Sequence, residues 1–231
     1  MTSESTPAFP ANQRSTRVRP RLWPGIVIVH GAGSRKENHA DFARLATAAG
    51  WAALAFDLPG HGESEGAMSA SAVDDVIRMV HLLAAHGGVD PRRVAVRGSS
   101  LGGFLALHAA ATANEIAGAI AICPAGEDHL SRGVRRGELR APVDDPLALE
   151  AWLAAHDLRG AVEEMAGRPL ILMHAEGDIE IPSYWSEELY EHAGEPRKLV
   201  LVPGGAHTSV QHDAELQAMA LSWLERQLER A

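Results

Sequence analysis

The chain predicts an α/β fold: a doubly wound, mostly parallel sheet flanked by helices, with a small helical cap insertion late in the order of elements. Three observations lead there. Short apolar runs recur without polar alternation, as strands buried on both faces require. Stretches of helical period separate them. Between Val94 and Ala113, a β-branched run passes through Gly98, Ser99, Ser100, Leu101 and Gly102 into an Ala/Leu-rich segment, which reads as strand, sharp turn and helix.

Residues 1–17 are rich in Ser, Thr, Pro and Asn, hold almost nothing to bury, and read as a flexible tail ahead of a single domain over 18–231. The first strand is Ile26–Val29. Phe42, Leu45, Ala46 and Ala49 then share one helical face, and Ala52–Phe56 is the next strand. Val73, Val76, Ile77 and Val80 mark a second amphipathic helix, followed by strands at Val94–Val96 and Ile116–Ile122 on either side of the helix from Phe104. More than forty residues then separate Cys123 from Pro169, too many for a plain crossover, and Leu147–Ala155 has helical character. Residues 126–167 are therefore the cap insertion. Strands Leu170–Met173 and Leu199–Val202 complete the set, and Leu216, Met219, Ala220, Trp223 and Leu224 line one face of a last helix. Alternation of strand and helix implies right-handed crossovers throughout.

At 231 residues and 46% hydrophobic content, the chain is long enough for one well-buried core. A net charge of −9 argues against a nucleic-acid or anionic-membrane surface, because both need clustered cations to neutralise phosphates. The one cysteine, Cys123, excludes an internal disulfide and a cysteine-based zinc site. No apolar run approaches the length of a membrane span or of a signal-peptide core, so a soluble, cytoplasmic protein is expected.

The turn after Val94–Val96 carries the chemistry. A serine at the apex of a strand-to-helix turn projects its hydroxyl away from the sheet only if the residues two before and two after it lack colliding side chains. Gly98 and Gly102 meet that requirement around Ser100. Centring the turn on Ser99 would put Arg97 and Leu101 there instead. An activated serine also needs a base and a carboxylate to orient it, and in parallel sheets the carboxyl ends of the strands bring such groups to one edge. Asp178 follows the strand Leu170–Met173, and His207 follows Leu199–Val202 after the glycines 204 and 205. Glu176 competes with Asp178 for the acid role from the same loop.

On these residues the chain from Gly25 onward resembles the α/β-hydrolase family, in its compact esterase and dienelactone-hydrolase-like branches. His30, Gly31, Ala32 and Gly33 resemble that family's H-G-x-G loop. Asp57, Leu58, Pro59, Gly60, His61, Gly62, Glu63 and Ser64 resemble its D-x-x-G-H-G-x-S turn. Asp178 with Pro182 resembles its acid loop, although Ala175 stands where glycine is usual. The dienelactone hydrolases carry a cysteine where this chain has Ser100, a departure that bears on that lactonase activity. The resemblance implies Ser100 as nucleophile, His207 as general base, Asp178 as orienting acid, and the backbone N–H groups of Leu101 and Ala32 as oxyanion hole. It implies a serine hydrolase of small carboxylic esters that needs no cofactor or metal, with thioesters, lactones, peptides or a non-catalytic ligand receptor as alternatives. The short stretch before Gly25 implies a sheet lacking one or two leading strands, or one paired with another chain in a homo-oligomer.

Other residues carry two readings each. Trp152, Tyr184 and Trp185 are expected either to line an acyl pocket or to anchor packing. Arg132, Arg135, Arg136 and Arg140 form a basic run in the cap, either a solvated face or a holder of a substrate carboxylate. His207, His212 and Asp213 allow a metal reading that no further spacing supports. His30 is expected to shape its loop, and His174 to be a hydrogen-bonded core or near-site histidine.

Overall fold

The computed structural model describes residues 22–230; the expected tail over 1–17 lies outside them. Six parallel strands form one sheet in the order β2-β1-β3-β4-β5-β6: β1 (Trp23–Val29), β2 (Ala52–Phe56), β3 (Val89–Ser99), β4 (Ala119–Ile122), β5 (Leu170–Ala175) and β6 (Arg197–Val202). Helices α1 (Ala40–Ala48), α2 (Ala72–Ala84) and α3 (Leu101–Thr112) connect the first four. Between β4 and β5 lie α4 (Glu127–Arg136), α5 (Pro146–Ala154) and α6 (Leu158–Glu164), within the span read as the cap. Helices α7 (Tyr184–His192), α8 (Ser209–His212) and α9 (Ala214–Leu228) complete the chain.

The alternation of side chains along each strand divides the core in two. Val27, Val29, Val94, Val96, Ala119, Ala121, Leu170 and Leu172 face a layer built on α2, α3 and α6. Ile26, Ile28, Ala95, Ile120, Ile122, Ile171 and Met173 face the layer of α1, α8 and α9. Both faces are apolar, so the central strands show the unbroken hydrophobic runs seen in the sequence. The edge strands β2 and β6 are only half-buried along their length, because each has a neighbour on one side alone.

Helix α3 has almost no polar face, and residues Leu101–Ala110 are all buried. It has no side-chain cap at its start, where Ser100 stands with φ 54° and ψ −122°. By contrast α5, α6 and α9 begin at Asp145, Asp157 and Asp213, whose carboxylates accept from the first free amides.

Strand β3 is longer than its apolar run. Its first residues include Pro91, and the register with β1 shifts between Trp23 opposite Val89 and Gly25 opposite Val94. Arg97, in its centre, is fully buried and ties the sheet to the last helices. It donates to His39 Nδ1 at 2.8 Å, to the Gln211 carbonyl of α8 at 3.0 Å and to Gln217 Oε1 of α9 at 3.3 Å, with the Phe42 ring 4.7 Å away. Burial lowers its guanidinium pKa to about 10, which leaves it charged at neutral pH, and lowers that of His39 to about 3, so His39 accepts as the neutral imidazole.

The turn between β3 and α3 leaves no room for side chains. A Cβ on Gly98 would lie 2.0 Å from the Gly102 carbonyl oxygen, and one on Gly102 would lie 2.3 Å from that of Val29. Gly160, inside α6, has nothing within 4 Å of such an atom. Gly98→Ala is therefore expected to cost about 3 kcal/mol or more in stability through a backbone clash. Gly160→Ala is expected to add about 0.4–1 kcal/mol. Urea unfolding of both variants measures the contrast.

Candidate active site

The order β2-β1-β3 reverses direction at β1, and in such sheets the crevice outside the strand ends at this point is where loops can build a site. The loop after β1 and the turn after β3 meet there. Ser100 donates its N–H to the Ile122 carbonyl at 3.0 Å, and its own carbonyl accepts from Phe104 at 3.1 Å and Ala125 at 3.1 Å. Its backbone is thus held in a left-handed conformation rare for a side-chain-bearing residue.

Gly31 lies directly against it, since a Cβ there would be 3.2 Å from the Ser99 carbonyl and 3.3 Å from Ser100 Cβ. The amides of Ala32 and Leu101 have no acceptor among the described residues, and Leu101 opens α3, at the positive end of its dipole. His30 holds the loop from beneath. Its Nε2 accepts from the Leu58 amide at 3.0 Å, which leaves the proton on Nδ1 to donate to the Gly31 carbonyl at 2.8 Å. Burial lowers its pKa, in keeping with that neutral form.

The turn from Asp57 to Ser64 braces the same loop. Asp57 accepts from the Lys36 amide at 2.7 Å, the Lys36 ammonium at 2.7 Å and the Glu63 amide at 3.0 Å. Burial alone would raise its pKa, but these donors bring it down to about 2. A Cβ on Gly62 would sit 2.4 Å from that carboxylate.

The loops after β5 and β6 are joined backbone to backbone. The Gly177 amide donates to the Gly204 carbonyl at 2.9 Å, and a Cβ on Gly177 would lie 2.5 Å from the Gly205 oxygen. The Pro203–Gly205 segment is exposed, and this hydrogen bond ties it to the loop after β5. Across the joint, His207 Nδ1 donates to Asp178 Oδ2 at 2.6 Å. Asp178 is buried, and its other oxygen accepts from the amides of Glu180 at 2.9 Å and Ile181 at 3.0 Å. Burial would raise its pKa, but the hydrogen bonds from His174, His207 and Ile181 hold it well below the usual carboxylate range. Glu176 is exposed where Asp178 is buried, which separates the two competing carboxylates.

Ser100 and His207 line one cavity of about 810 Å³ together with Gly31, Ala32 and residues of α4. No hydrogen bond joins their side chains among the described residues. The three aromatic residues are not there. Trp152 stacks on His156 with ring centres 4.2 Å apart and meets Phe104 edge-on, bordering a separate small apolar pocket with Leu101. Trp185 lies under the Arg159 guanidinium at 4.5 Å, and Tyr184 is 64% exposed at the start of α7. Packing demands, not the cavity, hold the two tryptophans.

His212 pairs with Asp41 at 2.8 Å, while Asp213 caps α9, so the metal reading of the pair with His207 has no support in their contacts. The ligand atoms of Cys123, Asp178 and His207 do lie within 4.8 Å of one another. Burial, however, pushes the Cys123 thiol up to about 12, which opposes the thiolate a metal would need.

Two residues gained importance only in three dimensions. His174 Nε2 donates to the Ile181 carbonyl at 2.9 Å and stands 3.3 Å from Asp178 Oδ2, while its Nδ1 pairs with Ser186 Oγ at 2.6 Å. His129, on α4, lines the cavity. Neither carries a local sequence signal beyond being a histidine.

Comparison with known proteins agrees with this architecture. YfhR of Escherichia coli K12 is 26% identical over 202 residues, which is 81% of this chain and 64% of that protein, so the chain spans less than two thirds of its length. Est1E from Butyrivibrio proteoclasticus, solved with ferulic acid bound, superposes with a TM-score of 0.73 at 21% identity over 93% of both chains. The monoacylglycerol lipase of Paleococcus ferrophilus gives a TM-score of 0.70 at 18% identity over 90% of this chain and 97% of its own. No helix among the described residues is long and apolar enough to cross a membrane. The family described as serine aminopeptidase, S33, matches residues 24–156, more than half of the sequence, and the chain therefore belongs to that family of α/β hydrolases.

Proposed function

We propose that this protein is a serine hydrolase of small carboxylic esters, working without a cofactor through Ser100, His207 and Asp178 in a reducing, cytoplasmic setting. The observation that carries the reading is the 2.6 Å contact of His207 Nδ1 with a buried, ionised Asp178, on the same cavity as a strained Ser100. A carboxylate can only accept, so the imidazole proton sits on Nδ1 and Nε2 is left free as a base. In this reading Nε2 takes the Ser100 proton as Oγ bonds to the ester carbon. The oxyanion accepts from the Leu101 and Ala32 amides. The imidazolium then protonates the departing alcohol, and water repeats the sequence on the acyl-enzyme. Removing one such oxyanion donor costs about 10² to 10³ in rate in comparable enzymes.

The solved esterase and lipase of like fold support an ester over an amide, whereas the family's description favours an aminopeptidase. A p-nitrophenyl ester series measured beside aminoacyl p-nitroanilides decides between them, and the esters are expected to be turned over faster. Ser100→Ala should abolish both turnover and labelling by a fluorophosphonate probe, while Ser99→Ala retains substantial activity. Equal loss in two folded variants would remove the basis for the assignment.

Asp178→Asn is expected to lower kcat by about 10⁴, because an amide favours the wrong imidazole tautomer. Glu176→Gln should leave kcat close to that of the parent. Because the folded pKa of Asp178 is depressed, its ionised form stabilises the protein above the ordinary carboxylate pKa of about 3.9, and that contribution fades as pH falls toward the folded value. The stability gap between parent and Asp178→Asn should therefore narrow below about pH 4, as measured by denaturant unfolding across pH.

A further inference from the structure

The cap's basic run does not form one uniform surface. On α4, Arg132 and Arg136 are one turn apart and line the cavity that holds Ser100 and His207. Arg135 points elsewhere and pairs with Glu150 at 3.6 Å. The helix ends at Gly137, in the left-handed conformation, and the returning chain buries Leu139 and brings Arg140 to the same cavity.

Arg140 is the notable case. It has φ 53°, a left-handed conformation that a non-glycine residue rarely adopts, and its stem lies on the loop after β1. A Cβ on Gly33 would stand 2.9 Å from both Cβ and Cδ of Arg140, so the glycine next to Ala32 leaves the space that this side chain fills. Arg132 and His129 both line that cavity. Burial first, then the charges of Arg132 and His207, hold the His129 imidazole below its ordinary pKa.

Arg132, Arg136 and Arg140 have no carboxylate within 4.0 Å among the described residues, although Glu138 and Glu180 line the same cavity. Three guanidinium groups without ion-pair partners among the described residues thus line the cavity that holds Ser100, in a chain whose net charge is −9.

We propose that Arg132, Arg136 and Arg140 form an anion subsite that selects esters bearing a second, free carboxylate. The proposal rests on the ester-hydrolase reading and names the substrate class. A guanidinium presents a planar fork of donors that matches a carboxylate, and a cavity of about 810 Å³ is of a size that suits a small molecule. The position of Arg140 beside the oxyanion loop sets that carboxylate a few bonds from the ester carbonyl. Each contact acts on selectivity more than on the chemical step.

The test compares kcat/KM for mono-p-nitrophenyl adipate and p-nitrophenyl hexanoate, which match in chain length, at low fixed ionic strength because screening weakens exposed charge pairs. The parent is expected to favour the adipate ester by about tenfold or more, the scale of a hydrogen-bonded charge contact. Arg132→Ala and Arg140→Ala should each narrow that ratio several-fold. Arg135→Ala should leave the ratio as it is. Hexanoate turnover with no preference for adipate, or a preference that survives the triple Arg132→Ala, Arg136→Ala, Arg140→Ala variant, overturns the subsite and leaves the esterase reading standing. If neither ester is turned over and no fluorophosphonate label attaches, the esterase reading fails. Calorimetry of adipate with Ser100→Ala then judges the subsite alone: binding lost on Arg140→Ala supports it, and absence of binding overturns it.

Discussion

Direct packing of main chain on main chain is the constraint on which the candidate site depends. At Gly98 and Gly102 the strand β3, the first turn of α3 and the end of β1 approach so closely that no side chain fits between them. Gly177 and Gly205 do the same for the loops after β5 and β6. Side-chain contacts can relax when a rotamer changes, but backbone contacts of this kind cannot. The positions of Ser100 relative to Ala32, and of Asp178 relative to His207, are therefore set by the sheet itself and not by loops of independent conformation.

Electrostatics completes what sterics begins. The buried Asp178 receives two amide protons and the His207 proton, with His174 close by, so its charge is stabilised without access to solvent. Behind it, His174 reaches from β5 to Ser186 on α7 and to the Ile181 carbonyl, which ties the acid loop to a helix. Arg97 performs a similar task for the base. Its guanidinium connects the strand that leads into Ser100 with α8, the helix that follows His207. The cost of burying that cation is met by three acceptors and an aromatic face rather than by a carboxylate in contact.

The arrangement of strands was legible because both faces of a parallel sheet are covered, and the pattern of apolar residues records that directly. It was least legible where other physics intervenes. The opening of β3 carries Asp90, Pro91, Arg92 and Arg93, which read as a break, yet a register shift admits them and the Asp90 carboxylate receives both arginines. Around the candidate site, the elbow glycines and Ser100 form a local motif and could be read as one. The preference for Asp178 over Glu176 came from its spacing to Pro182, and the structure separates them by burial. His129 comes to the cavity from the cap helix α4, for which no local pattern exists, whereas His174 meets Asp178, Ile181 and Ser186 a few residues further along the chain and was expected as a core or near-site histidine. For the aromatic residues two readings stayed open for a related reason: ring size indicates a need for burial but does not say against which wall. The arginine run showed its charge but not its direction, and only the helical phase of α4 distinguishes Arg135 from its neighbours.

Cys123 stands beneath Asp178 with φ 41°, fully buried, and its thiol is pushed up to about 12 by desolvation. It is also the one cysteine in the chain. A group of this kind does not react with alkylating agents while the fold is closed, because reaction requires both exposure and ionisation. Its modification therefore times the moments when the floor of the candidate site opens. Followed against denaturant, the rate distinguishes opening of this region alone from unfolding of the entire sheet. The protein thus carries its own clock for the rigidity of the residues that hold the acid in place.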